Sequence, residues 1–135
     1  MPGRFSWGWS EEVIRPLTQV RCKRQEFTQW FSLFWQQVDA LKYDGSFRVC
    51  YVPGQRIDSV TYVRGDASWT QLGLTWLGND AGYPTYAKNT TNVVFQWRGS
   101  VAICLVSPLC SVRKHPWVRV TFFANNTMTK EAGVV

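Results

Sequence analysis

The chain has 135 residues, 18% of them charged and 45% hydrophobic, with a formal net charge of +6. That length suits one domain with a true core, and that balance excludes a disordered chain. The longest uninterrupted apolar run, Val101 to Val106, is far too short to cross a bilayer.

Residues 1–10 read as an irregular lead-in, and no basic-then-apolar leader opens the chain. Val13 to Cys22 reads as a first strand, interrupted at Pro16 because proline cannot donate to a ladder. Phe27 to Ala40 is long and aromatic. Its apolar positions 27, 30, 31, 34, 35 and 38 fit a helical stripe, but its aromatic richness and the turn-like Lys42 to Ser46 favour a strand. Asp39 and Asp44 then flank a hairpin at Asp44-Gly45, where glycine accepts positive φ.

Phe47 to Val52 alternates, with Phe47, Val49 and Tyr51 on one face and Arg48 and Cys50 on the other. Pro53-Gly54 stops it. Ser59 to Arg64 and Trp69 to Leu77 are further strands, and Tyr83 to Thr91 is polar and turn-rich. Asn92 to Trp97 is a strand closed by the turn Arg98-Gly99-Ser100. Val101 to Ser107 is apolar at almost every position, as in a strand buried on both faces. Trp117 to Ala124 alternates again, with Val118, Val120, Phe122 and Ala124 on one side. Residues 125–135 read as an irregular tail. The expected architecture is therefore a single all-β domain, an eight-stranded antiparallel β-sandwich of jelly-roll type.

Catalytic and cofactor motifs are missing. The sequence contains no GxSxG elbow, HExxH, P-loop or Gly-rich dinucleotide turn. Its one histidine, His115, stands between Lys114 and Pro116. Glu11 and Glu12 read as solvated charges, and Asp58, Asp66 and Asp80 sit beside turn residues. The expectation is a chain that is not an enzyme and holds neither cofactor nor metal. Cys22, Cys50, Cys104 and Cys110 show no zinc spacing and read as reduced, buried thiols. Cys104 and Cys110 could pair only if the chain turned back at Pro108, since an extended span of six residues separates them by roughly 20 Å. Asn89-Thr90-Thr91 and Asn125-Asn126-Thr127 are sequons, relevant only on a secretory route.

Two features carry binding chemistry. Arg21, Lys23 and Arg24 form one basic group, and Arg113 and Lys114 another. These are the candidate nucleic-acid contacts, with solvated surface as the alternative. The chain also has eight Trp, five Tyr and eight Phe. Trp30, Trp35, Trp69, Trp76, Trp97 and Trp117 fit either a core and interface set or a stacking platform for sugars or bases. Trp30, Trp35, Trp69 and Trp117 are the candidate interface residues.

Gly45-Ser46-Phe47-Arg48-Val49-Cys50-Tyr51-Val52-Pro53-Gly54 resembles the strand and Tyr-x-Pro-(Pro)-Gly turn of picornavirus-like capsid proteins. Gly99 to Leu109 and Trp117 to Ala124 resemble that family's final two jelly-roll strands. The resemblance implies a structural viral coat protein, assembled in a host cell into the virion shell. Its partners would be further copies of itself or related subunits, and viral nucleic acid, RNA, bound without sequence preference through charge. No membrane contact is implied. The rival expectation is a secreted, lectin-like β-sandwich that stacks sugars on exposed Trp and Tyr.

Overall fold

The computed structural model describes residues 2–15, 18–33, 38–103 and 112–135. Its strands are β1 (Pro2–Ile14), β2 (Arg21–Phe31), β3 (Leu41–Val52), β4 (Arg56–Thr70), β5 (Leu74–Asn79), β6 (Thr85–Lys88), β7 (Asn92–Ile103), β8 (Val112–Lys114), β9 (Pro116–Phe123) and β10 (Met128–Val134). Among the described residues no helix forms. The fold is an all-β sandwich of two antiparallel sheets.

The first sheet runs in the order β1-β2-β3-β4. In the second, β7 is the spine. β9 and β8 share one edge of β7 in a single register, with only His115 between them. β5 and β6 take the other edge, and β10 lies outside β9. β8 and β9 thus act as one line, as do β5 and β6, so strand neighbours follow chain order throughout. A jelly roll is built from Greek keys, which return a fourth strand beside the first. The ladders observed here form a meander instead.

Alternation builds the core. Phe47, Val49 and Tyr51 of β3 face Val93, Phe95 and Trp97 of β7 and Val118, Val120 and Phe122 of β9, all of them buried. Phe47 and Phe95 stack with ring centroids 4.2 Å apart, and Tyr51 meets Phe122 edge-on at 5.1 Å. At the flanks the sheets lean together. Asn79 Nδ2 of β5 donates to Gly65 O of β4 at 2.8 Å. Lys130 Nζ of β10 lies 4.6 Å from the Phe5 ring centroid of β1.

Several boundaries differ from the sequence expectation, each for a physical reason. Residues 1–10 are not an irregular lead-in, because β1 begins at Pro2. β1 lacks a period because it shifts register between Pro2 and Phe5 and again between Trp7 and Ser10. The buried Gln29 amide donates to Gly3 O and Arg4 O, both at 3.2 Å, and Gln25 donates to Gly8 O at 3.3 Å, so the irregular carbonyls are satisfied by side chains. The expected single strand Val13 to Cys22 is instead the end of β1 and the start of β2, which pair with each other at Val13–Cys22 and Ile14–Arg21, and residues 16 and 17 lie outside the described residues. The tail is strand β10, paired with β9 from Met128 to Val134.

Asp44-Gly45 is not a hairpin. It lies inside β3, where Gly45 faces Phe27 across the ladder and the Phe27 ring fills the volume a Cβ would need. Asp39 instead lies 3.4 Å from Arg4, and Asp44 accepts a hydrogen bond from Thr28 Oγ1 at 2.7 Å. Arg98-Gly99-Ser100 is likewise continuous strand, with the Trp76 ring packed over Gly99. The Pro53-Gly54 stop is observed, with Gly54 at φ 71°. The expected strand through Phe27 is observed as far as Phe31. Residues 104–107 of the expected Val101 strand lie outside the described residues.

Tyr51 donates from its hydroxyl to Glu12 Oε1 at 3.2 Å, and Arg21 Nη1 lies 3.4 Å from the same oxygen. Burial, and then the Glu12 carboxylate, push the Tyr51 phenol up to about 12 from its usual 10.0. Burial, with Asp66 nearby, pushes Tyr43 up as well. A raised folded-state value means that the unfolded chain releases these protons first. The stability Tyr51 contributes is therefore whole below pH 10 and is lost as pH rises through about 12, and the contribution of Tyr43 is lost higher still. Urea midpoints measured across that window are expected to fall with pH. Tyr51→Phe is expected to flatten part of the slope, and an unchanged slope would assign the fall to other groups.

Candidate binding face

The outer face of the first sheet carries the polar side of its alternation. With Phe27, Phe47, Val49 and Tyr51 turned to the core, Cys22, Arg24, Glu26, Thr28 and Trp30 of β2 point away from it. Lys42, Asp44, Ser46, Arg48 and Cys50 of β3 do the same. The register then sets them side by side: Cys22 against Cys50, Arg24 against Arg48, Glu26 against Ser46, Thr28 against Asp44, and Trp30 against Lys42.

Cys22 and Cys50 form a disulfide with Cα atoms 4.0 Å apart. The expectation of reduced thiols fails for this pair. Their separation in sequence carries no signal, and only the ladder makes them partners. Cys104 and Cys110 lie outside the described residues.

Beside the disulfide, Arg24 and Arg48 oppose each other directly, an arrangement that costs free energy through like-charge repulsion. Arg64 joins them from β4, opposite Ser46. The ladder is irregular between the Ser46–Arg64 and Arg48–Thr61 pairs, and there Tyr62 takes φ 54°. Bulges of this kind re-aim side chains, and Tyr62 is 64% exposed. The Arg64 guanidinium lies 5.5 Å from the Tyr62 ring centroid, and that of Arg24 lies 5.6 Å from the Trp9 ring. Glu11, Cys22, Arg24, Arg48, Tyr62 and Arg64 line an open groove of about 370 Å³. Among the described residues no carboxylate lies within ion-pair distance of these three arginines.

At the other end of the same face, Trp30 and Trp69 pair with centroids 5.9 Å apart. Arg4 lies 4.4 Å and Lys42 5.6 Å from the Trp30 ring centroid.

The sequence candidates are only partly brought together. Arg24 lies in the groove. Arg21 pairs with Glu12, and Lys23 Nζ donates to Asn126 Oδ1 at 3.0 Å. Arg113 and Lys114 lie on β8, opposite Ala102 and Val101 at the far end of β7. Lys23 contacts the β9–β10 turn, near the start of β7, so the two basic groups occupy opposite ends of the sandwich, roughly 30 Å apart at strand rise. They do not form one nucleic-acid surface.

Trp30 and Trp69 do meet. Trp117 is on the second sheet, against Gly133 and beside Arg119 at 5.3 Å. Trp35 lies outside the described residues. Trp97 is core rather than platform, 1% exposed. The alternation of β3 already set Arg48 off the core side. What sequence reading missed is its partnership with Arg24 and Arg64, together with Trp9 and Tyr62, because register and a bulge create it.

Ser100, His115 and Asp80 also come together. His115 Nδ1 lies 3.0 Å from Ser100 Oγ and 3.3 Å from Asp80 Oδ2, and Ser100 donates directly to Asp80 Oδ1. Arg98 Nε is 2.9 Å from the same Asp80 Oδ2, off the hydrogen-bonding direction. A hydrolytic triad needs the two imidazole nitrogens to bridge carboxylate and hydroxyl. Here both partners crowd one nitrogen, and the serine bypasses the histidine. The cluster ties the loop after β5 to β7 and to the residue between β8 and β9.

Among the described residues no grouping of His, Cys, Asp or Glu is arranged to hold a metal, and no helix is long and apolar enough to cross a membrane. Compared with protein-family models, curated proteins and solved structures, the chain matches none.

Proposed function

We propose that the chain is a non-catalytic β-sandwich binding module of the carbohydrate-binding kind, acting in an oxidising compartment, with its ligand on the outer face of the first sheet. One observation carries this reading. Trp9, Trp30, Tyr62 and Trp69 set four aromatic rings on that single face, outside the core, among arginine, lysine and carboxylate side chains. A pyranose has an apolar face and a polar rim, and rings flanked by hydrogen-bonding groups complement both. The disulfide supports the compartment, since such bonds persist where the medium is oxidising. Both sequon asparagines, Asn89 and Asn125, are exposed, as a secretory route would require.

The test is calorimetry and tryptophan fluorescence against a panel of neutral and acidic oligosaccharides. Binding is expected, and Trp30→Ala with Trp69→Ala is expected to weaken it by about tenfold, the factor that about 1.4 kcal/mol of lost stacking carries. If no member of the panel binds, the proposal is wrong.

A second reading, a self-assembling jelly-roll shell subunit enclosing RNA, draws on a different use of the same pair. Trp30 and Trp69 form an exposed aromatic patch, with Trp69 45% exposed, of the kind that fills subunit interfaces. The meander order of strands weighs against it. Native mass separates the two. A particle of mega-dalton size means a shell, and a monomer or dimer means a module.

A further inference from the structure

We infer that the groove over the Cys22–Cys50 disulfide selects acidic glycans, with Arg24, Arg48 and Arg64 holding sulfate or carboxylate groups while Trp9 and Tyr62 flank the sugar rings. The inference rests on the carbohydrate-binding reading above and names the ligand class of that face.

The chemistry starts from an unbalanced charge. Three guanidinium groups share a groove with one carboxylate, that of Glu11. Glu11 is the ladder partner of Arg24, yet it makes no ion pair with it. Arg24 and Arg48 stand opposite one another on adjacent strands and repel. A bound anion removes that repulsion, so the free protein is poised for one. The cations are all arginines, whose planar fork matches the paired oxygens of sulfate or carboxylate and gives two parallel hydrogen bonds. They sit on β2, β3 and β4, held in register by ladder hydrogen bonds and by the disulfide beside them, so little ordering is needed on binding.

The two rings decide in favour of a sugar polymer over a free anion. Trp9 and Tyr62 lie under Arg24 and Arg64, and the Tyr62 ring is turned outward by the irregularity in β4. In the oxidising compartment proposed above, which the disulfide suits, sulfated and uronic-acid glycans are the polyanions to expect.

The test compares a sulfated hexasaccharide of alternating uronic acid and glucosamine with its desulfated, carboxyl-reduced counterpart, by calorimetry at two salt concentrations. The acidic form is expected to bind at least about tenfold more tightly, with affinity falling as salt rises. Arg24→Ala, Arg48→Ala and Arg64→Ala are each expected to lose about tenfold or more, the effect of removing a hydrogen bond to a charged group. Arg48→Lys is expected to fall between, because it keeps the charge and loses the fork. Arg119→Ala, on the second sheet, is expected to bind as wild type. Equal affinity for the two hexasaccharides, with the arginine variants unaffected, overturns the acidic selection and leaves the carbohydrate reading standing. No binding of either form, nor of any other sugar, overturns both. Tighter retention of a single-stranded RNA of matched charge, lost in the same three variants, overturns the glycan assignment in favour of nucleic acid. The comparison of the two sugars needs no variant, so a misfolded substitution does not blunt it.

Discussion

Trp97→Ala is expected to destabilise the protein by about 4 kcal/mol, within the range for removing a fully buried large aromatic side chain. Trp97 is 1% exposed and stands between the sheets. Its ring meets Phe27 edge-on at 4.7 Å and lies 5.9 Å from Phe95 in a stacked arrangement. Phe27 and Phe47 come from the first sheet and Phe95 from the second, so one side chain joins both layers. The surrounding side chains lie on paired strands and collapse only partly into the void, which adds a cavity cost to the lost transfer free energy. Total stabilities of small domains are about 5–15 kcal/mol, so this loss is a large share. The readout is the urea midpoint, expected to drop sharply with little change in slope. A shift below about 1 kcal/mol would mean that the ring does not pack as described.

Trp97 also connects the core to the binding face. Its Nε1 donates to Arg64 O at 2.8 Å. Trp97→Phe keeps most of the apolar volume and loses that bond, a net cost of about 1 kcal/mol. Because the bond holds the backbone of the residue that supplies the third arginine, the phenylalanine variant is expected to weaken acidic-ligand binding more than its small stability loss explains.

The parts legible in sequence were those where period alone decides. β3 and β9 alternate, their buried and outer residues fall as the alternation dictates, and the all-β class follows from strands punctuated by turns. The failures share one cause, which is that cross-strand neighbours are invisible along the chain. Gly45 and Gly99 read as turns because glycine and its polar neighbours favour turns. In the fold each is a mid-strand gap filled by an aromatic ring from an adjacent strand, Phe27 in one case and Trp76 in the other. β1 gave no signal because its irregular carbonyls are satisfied by glutamines more than fifteen residues away.

The candidate face shows the same division. Arg24 stood out as part of a basic run, yet its neighbours in that run, Arg21 and Lys23, are occupied by Glu12 and Asn126. Its working partners, Arg48 and Arg64, are 24 and 40 positions away by number and adjacent only through the β2-β3-β4 register. Sequence clustering of charge was therefore a poor guide to spatial clustering. The basic pair Arg113 and Lys114 ended at the opposite pole of the sandwich.

Removing the Cys22–Cys50 bond is expected to cost about 3.6 kcal/mol, the chain-entropy value for a closed loop of this length. The two cysteines are 28 positions apart, and the bond staples β2 to β3 near the ends of both strands. In a domain of this size that loss corresponds to a melting temperature lower by roughly 10 °C. The double variant Cys22→Ala with Cys50→Ala tests it cleanly, since a reductant acts on any thiol chemistry in the chain while the variant removes one bond. Mass after alkylation under denaturing, non-reducing conditions is expected to show no adduct at these two positions in the wild-type protein. The bond also bears on binding. Cys22 precedes Arg24 by two residues and Cys50 follows Arg48 by two, so all four lie on the outer face and the staple fixes the spacing of the opposed guanidinium groups. Without it the arginines can move apart to relieve their repulsion, and the anion must then draw them together again at its own expense of affinity. The double variant is accordingly expected to bind the sulfated hexasaccharide several-fold more weakly at a temperature where it is still fully folded. An unchanged melting temperature would show that the pair is not bonded in solution. A lowered one with unchanged affinity would confine the disulfide to stability and leave the arginine register to the ladder hydrogen bonds alone.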